Sequence, residues 1–130
     1  HAGFDLKPHV IAVLEEMGLP YKDLGTNSHD SVDYPKYGEI AARAVASGEC
    51  ELGIIMCGTG IGIGIAANKV RGVRCAICSD CYSAKMSREH DNANMLALGA
   101  RVVLPARAGA GVAVVAPGRG RCRVRWPRVL

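Results

Sequence analysis

The sequence predicts an α/β protein with three layers, in which helices cover both faces of a mostly parallel sheet. Segments with apolar residues at helical spacing alternate along the chain with short apolar runs that are typical of buried strands. At 130 residues, the chain is long enough to form one domain with a substantial core. Parallel strands need helical connections that pack on the sheet, so the predicted architecture is Rossmann-like.

Each element is predicted from its apolar spacing and from the residues at its ends. The first helix is expected over 5–17, because Val10 and Leu14 share one face and Gly18 follows as a stop. Later helices are expected over 36–47, over 61–69 and, capped by Ser79 or Asp80, up to Glu89. Strands are expected at 21–24, 52–56, 73–78 and 97–104. Residues 1–4 resemble a turn from a strand into a helix, so we expect a further strand upstream of His1.

The last 26 residues differ in composition from the rest of the chain. Residues 105–130 contain six arginines and no acidic residue, whereas residues 1–104 contain 10 Lys and Arg against 12 Asp and Glu. We therefore expect one domain over 1–104 and an atypical, poorly structured tail over 105–130. A basic tail can contact nucleic acid, but the body has no basic stripe and few aromatic residues, so no nucleic-acid partner is expected.

Six cysteines at irregular spacing do not fit the disulfide framework of a small secreted domain, and they predict reduced thiols in the cytoplasm. Cys75, Cys78 and Cys81 have the spacing of part of an iron–sulfur motif, but a fourth ligand is missing. We interpret them as core residues and expect no metal; a redox or metal-binding protein is the alternative. No apolar run approaches the roughly 20 residues of a membrane span, so no membrane partner is expected.

The most informative motif is Cys57-Gly58-Thr59-Gly60-Ile61-Gly62, directly after the strand at 52–56. A thiol at the carboxyl end of a parallel strand lies where ligands bind in open α/β sheets. The glycines let backbone N–H groups approach an anion, and the following helix presents its positive end. A thiolate that can accept a proton, next to N–H donors that stabilise a negative oxygen, is typical of a proton-transfer enzyme.

Six motifs then resemble one family when they are taken together and in order. They are His1-Ala2-Gly3-Phe4-x-Leu6-Lys7, Asp33-Tyr34-Pro35, the Cys57 motif, Ala66-Ala67-Asn68-Lys69, Tyr82-Ser83-Ala84 and Arg88-Glu89-His90 through Asn94. This set is similar to the type B ribose-5-phosphate isomerases, a family that also contains the galactose-6-phosphate isomerase subunits. The resemblance implies that an aldose phosphate and a ketose phosphate, ribose 5-phosphate and ribulose 5-phosphate, interconvert through an enediolate in the non-oxidative pentose phosphate pathway. It implies no metal and no organic cofactor.

The resemblance also assigns roles to residues. It implies that Cys57 moves the proton between C1 and C2, that Thr59 assists it by hydrogen bonding, and that His90 opens the sugar ring. The substrate-binding residues that it implies are His1, Tyr34, Gly58, Gly60, Ile61, Gly62, Asp91 and Arg101. It further implies a homodimer, or a dimer of dimers, whose active sites share residues across the interface.

Three departures from the family pattern predict reduced activity. The Asp that precedes the family's His-Ala-Gly is absent from this sequence, and Asp91 stands where the family has Asn. A carboxylate at position 91 would repel an anionic substrate. The family's C-terminal arginines, which help to bind phosphate, have no aligned counterpart in 105–130. The alternatives are an isomerase of a four- or six-carbon sugar phosphate and a non-catalytic partner subunit.

Overall fold

Five helices and three strands form within residues 2–116, which are the residues that this computed structural model describes. Their order along the chain is α1 (Lys7–Glu16), α2 (Tyr34–Ala46), β1 (Gly53–Cys57), α3 (Ile61–Asn68), β2 (Cys75–Ile77), α4 (Cys81–Glu89), β3 (Met95–Gly99) and α5 (Pro105–Val115). None of these helices is long and apolar enough to cross a bilayer. His1 and residues 117–130, together with the expected upstream strand, lie outside the described residues.

The sheet places β3 between the other two strands, in the order β1-β3-β2, and both pairings are parallel. Gly53 of β1 pairs with Met95 and Cys57 pairs with Gly99, so β1 and β3 begin and end at the same levels. All five residues of β3 are buried, as expected for a central strand that is covered on both faces. The predicted parallel sheet is confirmed.

Two apolar clusters form the core, one on each face of the sheet. Leu96 and Leu98 of β3 pack into a cluster with residues of α1, α4 and α5. Met95 and Ala97 belong to the other cluster, with residues of α2 and α3. This division follows from the two-residue period of a strand, which sends successive side chains to opposite faces. The predicted three-layer α/β/α arrangement is therefore confirmed.

The chain after residue 104 is where the structure differs most from the sequence-based expectation. Residues 105–115 form α5, with Pro105 in its first turn, where the missing N–H costs nothing. Ala108 and Val112 are fully buried, and α5 packs against α1 and α4. The prediction of a poorly structured tail is therefore wrong for 105–115. Its composition, rich in Ala, Gly and Val, looks like low complexity, yet small residues allow helices to pack closely.

Two of the predicted strands also need correction. Residues 21–24 form no strand and have no strand partner among the described residues. Lys7 holds this segment near α1, because its Nζ donates to Asp23 Oδ2 at 2.8 Å and to the Thr26 carbonyl at 2.6 Å. The strand expected over 97–104 is instead Met95–Gly99, followed by turns, because the backbone bends directly after Gly99. Elsewhere the elements lie within about two residues of their predicted bounds.

Two glycines in α5 provide a matched test of its packing. A Cβ added at Gly111 would meet nothing within 4 Å, whereas a Cβ at Gly109 would lie 3.0 Å from Val13 Cγ2. We expect Gly111→Ala to raise the free energy of unfolding by about 0.5–1 kcal/mol, because alanine loses less backbone entropy in a helix. Gly109→Ala is expected to raise the free energy of unfolding by less than Gly111→Ala, or to lower it, because its Cβ would crowd Val13. Urea denaturation of both variants checks this, and a Gly111→Ala variant no more stable than the parent would contradict it.

Candidate active site

The loop between β1 and α3 orients the thiol of Cys57. Cys57 is the last residue of β1, and its Sγ accepts a hydrogen bond from the Gly60 N–H at 3.2 Å. Thr59 Oγ1 accepts a hydrogen bond from the Ile61 N–H at 3.3 Å. The sulfur therefore faces the backbone donors of its own loop, and a donor at this position stabilises negative charge on sulfur. The first-turn N–H groups of α3 have no carbonyl partner within the helix.

Glycines allow this loop to take its path. Gly60 has a φ of +80°, in the left-handed region, and a Cβ there would lie 2.9 Å from the carbonyl carbon of Leu98. A Cβ at Gly99 would lie only 2.6 Å from the Thr59 carbonyl oxygen. The loop therefore passes directly over the end of β3. Gly99 was not among the predicted site residues; the signal for it was a glycine that closes a buried apolar run.

A cavity of about 870 Å³ opens beside this loop, and the partly buried Cys57 lines it. Tyr34, at the start of α2, packs its ring against Gly62: a Cβ at Gly62 would lie 2.8 Å from the Tyr34 hydroxyl. The Arg101 N–H donates to the Gly58 carbonyl at 3.0 Å, and its exposed side chain lies beside Gly58. The predicted residues that the fold brings together around this loop are Tyr34, Cys57, Gly58, Thr59, Gly60, Ile61, Gly62 and Arg101.

His90 and Asp91 lie at the other end of the sheet. They follow α4 and precede the amino end of β3, whereas Cys57 pairs with Gly99 at the carboxyl end of β3. The length of β3 separates these two levels by about 13 Å, at 3.3 Å per residue. Neither residue lines the cavity of Cys57; Asp91 instead lines a smaller cavity of about 370 Å³ with Asn68 and Arg74. One copy of the chain therefore does not bring His90 to Cys57.

Two of the three cysteines at iron–sulfur spacing, Cys75 and Cys78, lie in surroundings different from those of Cys57. Burial raises the pKa of Cys75 to about 12. Burial, with the nearby charge of Asp80, also raises the pKa of Cys78. Both thiols are therefore protonated at neutral pH and are poor bases. In residues 2–116, no three His, Cys, Asp or Glu side chains come together in a way that could hold a metal ion.

Comparison with known proteins agrees with the motifs and the geometry. Residues 1–114 match the sequence model of a family described as ribose/galactose isomerase. The chain belongs to this family. The matched region extends beyond residue 104 and includes most of α5, in keeping with the packing of that helix in the core.

Individual relatives give the same result. Ribose-5-phosphate isomerase B of Escherichia coli is 52% identical over 103 residues, which are 79% of this chain and 69% of the relative. The solved ribose-5-phosphate isomerase B of Clostridium thermocellum superimposes with a TM-score of 0.87 at 49% identity, covering 93% of this chain and 83% of that chain. The enzyme of Mycoplasma genitalium, solved with bound ribulose-5-phosphate, gives a TM-score of 0.84 at 37% identity, covering 88% and 77%. These similarities confirm the predicted Rossmann-like fold and the predicted enzyme class, the sugar-phosphate isomerases.

Alanine substitutions at Gly60 and Gly48 distinguish the cost of backbone strain from the cost of a steric clash. Both have a left-handed φ, +80° and +82°, but a Cβ at Gly48 would meet nothing within 4 Å. We expect Gly48→Ala to cost about 1–2 kcal/mol of unfolding free energy, from the left-handed conformation alone. Gly60→Ala should cost about 1–3 kcal/mol more, because its Cβ would clash with the Leu98 backbone. Equal losses for the two variants in urea denaturation would show that the close contact with β3 contributes nothing.

Proposed function

We propose that this protein interconverts ribose 5-phosphate and ribulose 5-phosphate through an enediolate, with Cys57 as the base, in the non-oxidative pentose phosphate pathway. The observation that carries the proposal is the position of the Cys57 sulfur, which lines the cavity and accepts the Gly60 N–H. The cysteines in the described residues are free thiols, which supports the reducing cytoplasm as the location of the enzyme.

The proton transfer in this proposal needs one base and one stabilised oxygen. The Cys57 thiolate takes the proton from C2 of the open-chain aldose, and the electron pair moves so that the oxygen on C1 becomes negative. Backbone N–H groups of 58–62 donate to this oxygen; those of Gly60 and Ile61, which bond to Cys57 and Thr59 in the unliganded protein, would have to turn to it. This stabilisation matters as much as the base because the carbon acid is weak. The proton then returns to C1 and the O2 hydroxyl proton moves to O1, which leaves a ketone at C2 and regenerates the thiolate.

Three other side chains have proposed roles beside this loop. The Thr59 hydroxyl accepts the Ile61 N–H, and its own O–H can donate towards the reacting atoms. The Arg101 guanidinium supplies positive charge next to Gly58 for an anionic substrate. The Tyr34 ring forms the wall opposite Gly62 and positions the sugar.

Ring opening by His90 requires a second copy of the chain in this proposal. Within one chain, His90 lies at the amino ends of the strands and Cys57 at their carboxyl ends. His90 would therefore act in the cavity of a partner, with Asp91 beside it. We therefore propose a homodimer, or a dimer of dimers, in which each active site combines Cys57 of one copy with His90 of another. His1 is proposed as a further substrate contact, at a position outside the described residues.

A six-carbon sugar phosphate is the second candidate substrate. The family description names galactose as well as ribose. Turnover of galactose 6-phosphate above that of ribose 5-phosphate would decide for this candidate, and no turnover of either would favour a non-catalytic subunit.

Cys57→Ala tests the proposed base, with Cys50→Ala as a matched control. Both thiols line the cavity and are partly buried, but Cys50 precedes β1 and lies away from the glycine loop. We expect Cys57→Ala to lower kcat for ribose 5-phosphate by about 10²–10⁴-fold, the usual contribution of a positioned base. Cys50→Ala should leave kcat within about threefold, which is less than 1 kcal/mol. The assay follows ribulose 5-phosphate formation; activity that survives in Cys57→Ala would remove Cys57 as the base.

Mixing two inactive variants tests the shared active site. We expect Cys57→Ala and His90→Ala to be inactive separately, because each lacks one proposed acid–base group at every site. After subunit exchange, a mixed dimer holds one site with both Cys57 and His90, so part of the activity should return. Differently tagged subunits and native mass spectrometry establish that exchange has occurred. Exchange without recovered activity would refute the shared site.

A further inference from the structure

The turn that follows α4 and carries His90 contains an unusual backbone conformation. Asn92 has a φ of +50°, and within residues 2–116 it is the only residue other than glycine with a positive φ. This left-handed conformation has an energetic cost for any residue with a side chain, although asparagine tolerates it better than most. It persists where surrounding contacts hold it, and such residues are common at functional sites. The contacts of Asn92 and its neighbours therefore fix the path of 90–94.

Arg74 makes the contact at the middle of this turn. It directly precedes β2, and its Nε donates a hydrogen bond to the Asn92 carbonyl at 2.7 Å. Its Nη1 also donates to the Gly72 carbonyl at 3.3 Å. The guanidinium is planar and holds its donors in a fixed arrangement, so it can keep two carbonyl groups at a set separation. Arg74 therefore connects the left-handed residue to the turn before β2.

Other groups hold the end of the same turn. The Asn94 side chain accepts the Arg74 N–H at 2.8 Å through Oδ1 and donates to the Gly72 carbonyl at 2.9 Å through Nδ2. The Asn94 N–H donates to the Arg74 carbonyl at 3.0 Å, and the Ala93 N–H donates to the Ser87 carbonyl of α4 at 2.8 Å. The end of the turn is therefore fastened to both neighbouring segments, and the Arg74 guanidinium adds a contact closer to His90.

We propose that Arg74 is a positioning residue for His90: it holds the turn of 90–94 in the conformation that directs the imidazole into the cavity of the partner copy. This inference rests on the proposed role of His90 in ring opening. A small displacement of a group that transfers a proton lowers the rate strongly, because the reacting atoms must be held at a set distance. Arg74 is exposed, so its hydrogen bonds replace bonds to water and contribute little to overall stability. Its loss should therefore displace the turn without unfolding the protein.

Arg74→Ala tests the proposal on the full chain, with Arg71→Ala as a matched control. We expect Arg74→Ala to lower kcat for ribose 5-phosphate by about tenfold or more, with KM within about threefold, because a displaced His90 slows ring opening but leaves the substrate contacts in place. Arg71→Ala removes the same charge from the exposed turn before β2 and should leave both constants within about threefold. Circular dichroism and urea denaturation establish that the variants are folded. Parental kcat in Arg74→Ala, or an equal loss in both variants, would overturn the proposal.

Subunit exchange shows whether Arg74 acts together with His90. In a mixed dimer with Cys57→Ala, the Arg74→Ala copy supplies Cys57 and its partner supplies both Arg74 and His90, so one site is complete and activity should return. In a mixed dimer with His90→Ala, no site is complete, and activity should stay low. A general structural defect in the Arg74→Ala copy would also impair its Cys57, and neither mixture would then recover.

The outcomes of the exchange separate this proposal from the one on which it rests. Recovery with His90→Ala but not with Cys57→Ala would overturn the role of Arg74. So would recovery with neither, provided that Cys57→Ala and His90→Ala still complement each other. If that last pair does not recover, the shared site itself is refuted, and the role of Arg74 with it.

Arg74→Lys replaces Arg74→Ala in every measurement if the alanine variant does not fold. Lysine keeps the positive charge, but one flexible ammonium group replaces the rigid set of donors. We then expect kcat to fall by about threefold or more, with the same pattern of recovery in the two mixtures. Parental kcat in Arg74→Lys would in that case overturn the proposal.

Discussion

The close passage of the loop at 58–60 over the end of β3 is the constraint on which the candidate active site depends. Neither Gly60 nor Gly99 leaves room for a Cβ at this crossing, since added atoms would lie 2.9 Å or less from backbone atoms of the other segment. This contact fixes the loop to the most buried strand of the sheet. It thereby holds the Gly60 N–H against the Cys57 sulfur and directs the start of α3 towards the cavity. A rigid strand thus sets the geometry of a glycine-rich loop.

The parallel sheet separates the candidate functional residues into two groups. Residues that follow strands, such as Cys57 and Arg101, gather at the carboxyl ends, whereas His90 and Asp91 follow a helix that returns to the amino ends. This separation is built into the topology, and it is the reason for proposing a site that combines two copies. Burial also distinguishes the thiols. It raises the pKa of Cys75, which stays protonated within the structure, whereas Cys57 lines the cavity and accepts a backbone N–H.

The candidate active site and the outer edge of β1 face one cavity. Cys57 is the last residue of β1, whose residues line this cavity. Lys7 ties the segment around Asp23, which also lines the cavity, to α1. Burial acts to raise the pKa of Asp23, but hydrogen bonds from Lys7 and from the Gly25 N–H outweigh it, so this pKa lies below its usual value. This part of the cavity wall is therefore held by an ion pair that persists at neutral pH.

The sequence by itself determined the features that depend on local chemistry. Apolar spacing predicted the three layers. Of the two predicted N-caps of α4, Ser79 and Asp80, the structure has Asp80, whose Oδ1 accepts the Ser83 N–H at 2.8 Å. The Cys57 motif was predicted at a strand end, where it lies. Only the tertiary structure decided that α5 is a core helix, that 21–24 is no strand and that His90 lies at the opposite end of the sheet from Cys57. These outcomes depend on which distant segments provide a packing surface or a hydrogen-bonding edge, and no local pattern of residues contains that information.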